Sequence, residues 1–523
     1  MAVVTFENAA NANDYYLPDL FEFDARDPNL NVEPFVSETR VEVTVLRDPG
    51  LVTIAAIGTG FTFYEDPVEG GGPPVSGVVN TITLSVDGVL WMTITGLSVE
   101  LTDLDHFMFG WENRGEYRPG NGFDLFSLFL AGNDTINGSD FDDDIIGGRN
   151  VGNDLIYAGR GFDFIKADAG NDTIFGGDDR DTYSFSETYW DGTAYRGANV
   201  NLATGRALDS WGGTDTISGI ERVEGSRMAD RFTGSDGDEQ FSGLRGNDTI
   251  NGGGGDDLVR YDRDARWGGT LGVNVNLSTG FATDGWGNTD RLLNIESVWA
   301  TGRSDTIVGN TQDNWISSGD GVDVVNGGLG RDTVDFYFDN VSNGAVVNLS
   351  LTTEQVQNDG YGNRETLVSI ENLWGTSLAD SFTGNAFAND LYGDSGNDTL
   401  SGGGGNDTLN GGAGVDTLTG GTGADVFVFD SWDGTAPFGD RITDFRTGID
   451  TLAFDTDDFA GMDATLRFRN GTSAGGTGES WFFFNTATDR LFWDRDGTGG
   501  AAAVLVATLV GVNTLTVADF DLF

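Results

Sequence analysis

A nine-residue repeat of glycine and aspartate constrains this chain more than any other feature of its sequence. Residues 402–421 read GGGGNDTLNGGAGVDTLTGG, with Asp407 and Asp416 nine residues apart and a leucine two residues after each. Glycine at this density destabilises ordinary helices and strands, because it loses the most backbone entropy on folding. It suits tight turns that need positive φ angles. The pattern therefore predicts very short strands, joined by glycine turns, with the apolar residue pointing inward.

The repeat recurs in separate runs between residues 129 and 428, and the runs are themselves periodic. Asp230, Asp305 and Asp380 lie 75 residues apart, and segments of a second kind separate the runs. Those segments alternate apolar and polar residues, which is typical of strands. We predict an all-β protein: a parallel β-roll or β-helix solenoid over 129–428, a β-sandwich-like N-terminal domain over 1–128, and a C-terminal β cap with a secretion signal over 429–523.

Stacking of the repeats predicts metal binding. Two repeats would make one coil of ~18 residues, and coils stacked at ~4.8 Å would bring the aspartates into columns. Like charges at that spacing need a cation, and Ca²⁺ accepts six to eight carboxylate and carbonyl oxygens in irregular geometry, whereas Mg²⁺ demands a smaller octahedral site. We expect about a dozen Ca²⁺ ions. The predicted ligands, all but one from repeats with glycine at the fourth position (Asp181 has Asp179 there), are Asp134, Asp154, Asp163, Asp172, Asp181, Asp248, Asp257, Asp323, Asp332, Asp398, Asp407, Asp416 and Asp425.

Other repeats lack that glycine and are predicted to form coils without metal. Residues 375–383 (GTSLADSFT) and 384–392 (GNAFANDLY) are of this kind. They would continue the stack without contributing a calcium site.

Charge and composition narrow the range of partners. The formal net charge is −55, from 83 acidic and 28 basic residues, so nucleic acid and anionic membranes would be repelled. The chain has no cysteine, which excludes disulfides and thiolate metal sites. The N-terminal residues lack the basic and apolar regions of a signal peptide, and no apolar run reaches the ~18 residues of a membrane-spanning helix. No membrane insertion is expected.

The nonapeptide GGxGxDxUx, in which U is a large apolar residue, resembles that of the RTX (hemolysin-type calcium-binding) family. Residues 423–454 resemble the C-terminal cap of serralysin-type RTX proteins. The tail, ending in Asp521, Leu522 and Phe523, resembles an uncleaved type I secretion signal. The resemblance implies a protein that leaves a Gram-negative bacterium unfolded, through type I secretion machinery, and folds in extracellular calcium.

Candidate catalytic groups are few. The chain has one histidine, His106, which excludes an HExxH zinc protease. Gly471–Gly475 (GTSAG) matches the esterase pattern GxSxG but lacks a strand–turn–helix context. Asp494 and Asp496 form a short DxDG motif that could hold a further Ca²⁺ or simply make a turn.

The sequence favours a secreted, calcium-binding structural or surface protein that self-associates into a surface layer, filament or matrix. One alternative is an extracellular hydrolase with its site in 1–128. Another is a carbohydrate-binding adhesin, because Trp211 and Trp286, and likewise Trp299 and Trp374, lie 75 residues apart. Aromatic residues in such register can stack on sugars, but they also pack on one another along a solenoid. We favour packing for the tryptophans, and no enzymatic activity.

Overall fold

Short β-strands make up nearly all regular structure in this computed structural model. It describes residues 3–6, 32–37, 40–46, 51–63, 74–86, 89–100, 133, 135–138, 140–146, 152–166, 169–186, 196–337, 341–430, 439–456, 466–472, 481–494 and 503–523. Within these ranges there is no α-helix, and 3₁₀ turns occur at Leu202–Thr204, Asp264–Trp267 and Val517–Asp519. No described helix could cross a membrane. The chain divides into two compact units, Met1–Asp257 and Leu258–Phe523.

The first unit begins with an antiparallel sheet. Its strands are β1 (Val3–Phe6), β2 (Val32–Ser37), β3 (Arg40–Leu46), β4 (Leu51–Phe63), β5 (Pro74–Val86) and β6 (Val89–Glu100). They pair in the order β2–β3–β4–β5–β6–β1. The all-β prediction for this segment is confirmed. A second, facing sheet is not among the strands described before residue 101.

Parallel ladders of three- to five-residue strands form the rest of the first unit. These strands are β7 (Thr135–Asn137), β8 (Asp144–Ile146), β9 (Leu155–Gly159), β10 (Phe164–Lys166), β11 (Thr173–Gly177), β12 (Thr182–Ser184), β13 (Asn199–Asn201), β14 (Arg206–Leu208), β15 (Thr214–Ser218), β16 (Arg222–Glu224), β17 (Arg231–Thr233), β18 (Gln240–Ser242) and β19 (Thr249–Asn251). The ladders run β7–β9–β11–β15, β8–β10–β12–β16–β18 and β13–β17–β19. Strand β1 joins the first of them by pairing with β7.

The second unit repeats this arrangement over more coils. Its strands are β20 (Leu258–Arg260), β21 (Asn274–Asn276), β22 (Phe281–Thr283), β23 (Thr289–Leu293), β24 (Ser297–Trp299), β25 (Thr306–Val308), β26 (Trp315–Ser317), β27 (Val324–Asn326), β28 (Thr333–Asp335), β29 (Val346–Asn348), β30 (Val356–Asn358), β31 (Thr366–Val368), β32 (Asn372–Trp374), β33 (Ser381–Thr383), β34 (Asp390–Tyr392), β35 (Ser395–Gly396), β36 (Thr399–Gly404), β37 (Thr408–Asn410), β38 (Ala413–Gly414), β39 (Thr417–Thr422), β40 (Val426–Phe429), β41 (Asp440–Ile442), β42 (Thr451–Phe454), β43 (Phe468–Asn470), β44 (Trp481–Asn485), β45 (Arg490–Asp494), β46 (Val504–Leu509) and β47 (Phe520–Leu522).

The register of these ladders confirms the β-roll. In one ladder Leu391 pairs with Leu409, 18 residues on, and Leu409 pairs with Phe427. In the opposing ladder Leu400 pairs with Leu418. All of these side chains are at most 1% exposed. Each buried apolar side chain contributes about 1.5–3 kcal/mol, so the core is a narrow apolar column with one residue from each repeat.

The C-terminal residues continue both ladders. Strand β42 pairs with β40 and β47 with β42, while β41 pairs with β39 and β46 with β41. A hairpin of β44 and β45 then packs onto β46 by antiparallel pairing. These strands cover the edges that the last repeats would otherwise leave unpaired.

Candidate calcium sites in the glycine turns

The predicted aspartate ligands are buried at the ends of the glycine turns. Asp134 lies outside the described residues. The other twelve are at most 4% exposed. Ionised carboxylates are almost never found at such burial without a partner of opposite charge. The buried carboxylates of the turns therefore need a positive charge or hydrogen-bond donors, which the apolar core cannot supply.

A ladder of amide bonds fixes these aspartates. The backbone N–H of Asp398 donates to Oδ1 of Asp416 at 2.7 Å, and that of Asp380 donates to Oδ1 of Asp398 at 2.7 Å. The same bond, at 2.7–3.1 Å, reaches Oδ1 of Asp163, Asp172, Asp181, Asp248, Asp257, Asp323, Asp332, Asp407 and Asp425. One carboxylate oxygen of each residue is thus used to hold coil to coil.

The second carboxylate oxygen, Oδ2, lacks a hydrogen-bond donor from the described part of the chain in several of these aspartates. Oδ2 has no hydrogen-bond donor among the described residues in Asp163, Asp181, Asp323, Asp332, Asp398, Asp407 and Asp416. A buried oxygen without a donor costs about 1–3 kcal/mol, and more when it is charged. A bound cation would remove that cost at every coil.

Two asparagines in the same positions show what the aspartates lack. Nδ2 of Asn314 donates to the carbonyl of Glu296 at 2.9 Å, and Nδ2 of Asn389 donates to the carbonyl of Glu371 at 2.8 Å. In both residues Oδ1 accepts from a backbone N–H four residues earlier. Because the amide group is uncharged and supplies its own donor, these two side chains need no cation. An aspartate in the same place presents an oxygen instead of a donor.

The glycines surround that oxygen with further oxygens. A Cβ on Gly411, the first residue of its repeat, would lie 2.3 Å from Oδ2 of Asp416. A Cβ on Gly412, where φ is +75°, would lie 1.8 Å from the carbonyl oxygen of Asp394 in the preceding coil. Only glycine fits these positions. The space that a side chain would fill is lined by carboxylate and carbonyl oxygens.

Burial dominates the electrostatics of these carboxyls. It raises the pKa of Asp163 and Asp398 to about 8, with further increases from neighbouring aspartates and an opposing contribution from the amide bond. It raises the pKa of Asp181 to about 7 and that of Asp407 to about 6. Without a cation, the folded turns favour the protonated carboxylic acid.

The donor set fits Ca²⁺ better than other metals. Within the described ranges, no three acidic or histidine side chains converge on one point. A site would therefore combine one or two carboxylates with backbone carbonyls, a set of hard oxygens that calcium accepts and zinc or copper does not prefer. The aspartates with a bare Oδ2 would hold the ion, and the carbonyls of positions such as Asp394 would complete its shell.

Asp230, Asp305 and Asp380, which start three runs of repeats, are satisfied without metal. Thr376 donates to Asp380 from its backbone N–H at 2.8 Å and from its hydroxyl at 3.0 Å. Ser226 bonds Asp230, and Thr301 bonds Asp305, in the same way. These three repeats lack the fourth glycine, and that they bind no ion stays a prediction.

Sequence periodicity missed several members of the ladder. Asp215 Oδ1 accepts from the N–H of Asp172 at 3.0 Å, although it lies 43 residues later. Asp440 accepts from Asp416 at 2.9 Å, and Asp450 accepts from Asp425 at 3.2 Å. Insertions between coils hide their spacing. The signal that could have found them is an aspartate followed two residues later by a buried apolar residue, here Ile217, Ile442 and Leu452.

A side-chain cation lies at the last coil. Nη2 of Arg446 lies 3.3 Å from Oδ2 of Asp425 and 2.8 Å from Oδ1 of Asp450. The same nitrogen donates to the carbonyl of Gly423. Carboxylates from two coils and a glycine carbonyl thus converge on a guanidinium, in the kind of oxygen environment that the other turns offer.

Some of the tryptophans, and one aspartate of the DxDG motif, also lie among the described residues. Trp374 packs against Trp315 and Tyr392, with ring centroids 5.4 and 4.0 Å away, and Arg260 stacks on Trp299 at 4.4 Å. These contacts support a packing role for Trp299 and Trp374. His106, Asp496 and the serine of the GTSAG motif lie outside the described residues, and Asp494 is 4% exposed.

Comparison with known proteins shows similarity to one family model. The RTX calcium-binding nonapeptide repeat (4 copies) matches residues 130–150, 149–183, 233–265, 299–334, 374–409 and 392–427. No curated protein matches the chain.

Two solved structures are similar over part of their length. A subunit of the Azotobacter vinelandii mannuronan C5-epimerase is 28% identical over 27% of this chain and 77% of its own, with a TM-score of 0.20. The extracellular lipase of Serratia marcescens is 17% identical over 56% of this chain and 40% of its own, with a TM-score of 0.16.

Proposed function

Because the chain carries RTX calcium-binding nonapeptide repeats, we propose that it is a secreted structural or surface protein that folds when it binds calcium outside the cell. It then assembles with further copies into a surface layer, filament or matrix. The observation that carries the calcium step is the row of buried aspartates whose second oxygen has no donor among the described residues.

Coupling of folding to calcium follows from the energetics of the turns. Each coil of two repeats contributes only two apolar residues to the core, together with one or more buried carboxylates that burial disfavours. A site assembled from two coils does not exist in the unfolded chain, so its binding free energy is also folding free energy. In low cytosolic calcium the chain would stay unfolded, which suits export through type I secretion machinery. In millimolar extracellular calcium it would fold.

Calcium binding would reduce the charge repulsion that opposes assembly. A chain with a net charge of −55 repels other copies of itself. About a dozen divalent ions would cancel roughly 24 of those charges. Residues 129–428 would form the calcium-clamped solenoid, and residues 1–128 and 429–523 would make contacts between subunits or with a cell-surface glycan.

A calcium titration of chelator-treated protein tests the proposal. Circular dichroism would report folding and light scattering would report assembly in the same sample. We expect a cooperative gain of β signal, followed by growth of particles. Folding without growth would refute assembly, and a fully folded protein indifferent to calcium would refute the calcium step.

A further inference from the structure

The inserts between runs of repeats share a buried acidic loop. Residues 209–215 (DSWGGTD), 284–290 (DGWGNTD) and 359–365 (DGYGNRE) each begin with a fully or almost fully buried aspartate. In the third loop, Oδ1 of Asp359 accepts from the backbone N–H groups of Tyr361, Gly362 and Asn363 at 2.8–2.9 Å. The loop thereby holds its last residue, which is always acidic, at a fixed place in the stack.

In the first two inserts a tyrosine satisfies that last residue. The hydroxyl of Tyr183 donates to Oδ2 of Asp215 at 2.9 Å. The hydroxyl of Tyr261 donates to Oδ2 of Asp290 at 3.1 Å. Each carboxylate therefore has a donor from the protein for its second oxygen.

The third insert lacks this hydroxyl. Tyr261 precedes Asp290 by 29 residues, and Phe336 precedes Glu365 by the same distance. Phe336 is 1% exposed and has no hydroxyl to donate. Oε2 of Glu365 accepts from the Ser318 hydroxyl at 3.3 Å, but Oε1 has no donor among the described residues.

A second carboxylate with a bare oxygen faces Glu365. Asp323 lies close enough to Glu365 for the two carboxyls to interact, its Oδ2 has no donor among the described residues, and both residues are 1% exposed. Burial, and then the charges of Asp323 and Asp359, raise the pKa of Glu365. Two such carboxylates can be ionised together only if a cation or further donors compensate them.

We propose that Asp323 binds its calcium together with Glu365 and the Ser318 hydroxyl, in a site that differs from those of the other glycine turns and lies at the junction of the third insert and the repeat turn that ends at residue 323. Its distinguishing ligand, Glu365, lies outside every segment matched by the nonapeptide repeat. The oxygen donors select a hard divalent cation. This inference rests on the proposed calcium-dependent function. It adds that the third insert binds an ion because it has Phe336 where the second insert has Tyr261.

Calcium counting on the full-length chain tests the site. The wild type and each variant would be equilibrated at saturating free calcium, gel-filtered in the same buffer, and analysed for bound calcium per chain by atomic emission. Glu365→Gln and Phe336→Tyr are each expected to lose one ion, the second because the new hydroxyl would donate to Glu365. Asp290→Asn, in the insert closed by Tyr261, is the matched control and should lose none.

The outcomes separate this inference from the broader function. A wild-type chain that binds no calcium would refute both. A wild type that binds calcium, with an unchanged count in Glu365→Gln, would refute only the site with Glu365 and indicate a pair that shares a proton. Loss of an ion from Asp290→Asn as well would refute the role of the tyrosine. If Glu365→Gln fails to fold, the count for Phe336→Tyr decides, with circular dichroism confirming its fold.

Discussion

At the scale of single residues, one side-chain atom separates coils that should need a cation from those that should not: a carboxylate oxygen in Asp, an amide nitrogen in Asn. Asn314 and Asn389 close their coils with an amide donor, whereas the aspartates at the same position present an oxygen. Asp332 and Asp407 accept an N–H from the preceding coil at Oδ1, whereas the asparagines donate Nδ2 to a carbonyl of the preceding coil, so either side chain ties its coil to the one before. We therefore expect the choice between amide and carboxylate to set the metal content without changing the architecture.

Replacing Asp407 tests this distinction. Asp407→Asn should keep the coil folded, because the amide can donate as that of Asn389 does, but it should lose one calcium ion and increase the calcium concentration needed for folding. Asp380→Asn is the control, since Thr376 already bonds both oxygens of Asp380. Bound calcium and the folding midpoint would be measured for both. Equal losses in the two variants would contradict the assignment.

The raised pKa values predict how pH acts on the metal-free fold. Burial raises the pKa of Asp163 and Asp398 to about 8 and that of Asp332 and Asp407 to about 6. The unfolded values are near 4, so protonation stabilises the folded form, and this stabilisation is lost as pH rises through about 6 to 8. Metal-free protein should gain β signal on acidification from pH 8 to pH 5.

Calcium must displace those protons. Because protons stabilise the metal-free fold, folding should require no more calcium at pH 6 than at pH 8, whereas calcium binding to metal-free protein folded at pH 6 should release protons. Calorimetric titrations in two buffers of different ionisation enthalpy would measure the release. Calcium binding without proton release at pH 6 would show that the carboxyls are already ionised in the metal-free fold.

At the scale of the turn, positive φ and close approach act together. Gly412 and Gly448 both have φ +75°, but a Cβ on Gly412 would overlap the carbonyl oxygen of Asp394, while nothing lies within 4 Å of one on Gly448. Left-handed geometry alone costs a non-glycine residue about 1–2 kcal/mol. Only in the repeat turn does the neighbouring coil add a steric penalty.

These two glycines make a matched pair of variants. Gly448→Ala should destabilise the protein by about 1 kcal/mol. Gly412→Ala should cost at least about 3 kcal/mol, the range of severe core changes, and should raise the calcium requirement. Urea unfolding at saturating calcium, followed by circular dichroism, would compare them. Similar losses in both would mean that stacking of the turns contributes little.

Arg446 belongs to the same scale, because it joins the last repeat to the cap. Arg446→Met would leave the Asp425 and Asp450 carboxylates without the guanidinium and should destabilise the protein by about 1–3 kcal/mol, the range for hydrogen bonds to charged groups. Arg441→Met, on the exposed side of β41, is the control. Unfolding midpoints in chelator-free buffer would show the difference, and a neutral Arg446→Met would contradict a structural role.

At the scale of the whole molecule, folding depends on the sum of many weak coils. Each repeat contributes one apolar residue to a narrow core, so no coil of two repeats could be stable alone, and neighbouring coils stabilise one another. Removing calcium from one site therefore weakens those beside it. The response to calcium should be cooperative over the repeats.

Chelation should unfold the repeats as a group. Addition of a calcium chelator is expected to increase the hydrodynamic radius and remove β signal together, and excess Mg²⁺ should not restore either, because it demands a smaller octahedral site and keeps its waters. Size-exclusion chromatography with circular dichroism would follow both. Recovery in Mg²⁺ alone would show that charge neutralisation, rather than coordination, drives folding.

The sequence determined the features that depend on local period. The nine-residue spacing predicted the β-roll, the inward apolar residues and the 18-residue coil, because strand alternation and glycine turns repeat identically wherever the motif is intact. It also selected aspartates that the structure buries, as with Asp398 and Asp416.

Only the tertiary structure decided which residues meet across insertions of different length. Asp215, Asp440 and Asp450 join the amide ladder because of where each coil lands on the one before. The same placement brings Arg446 to Asp425 and leaves Glu365 beside Asp323. These contacts depend on long-range stacking, and a period read along the chain loses its phase at every insertion.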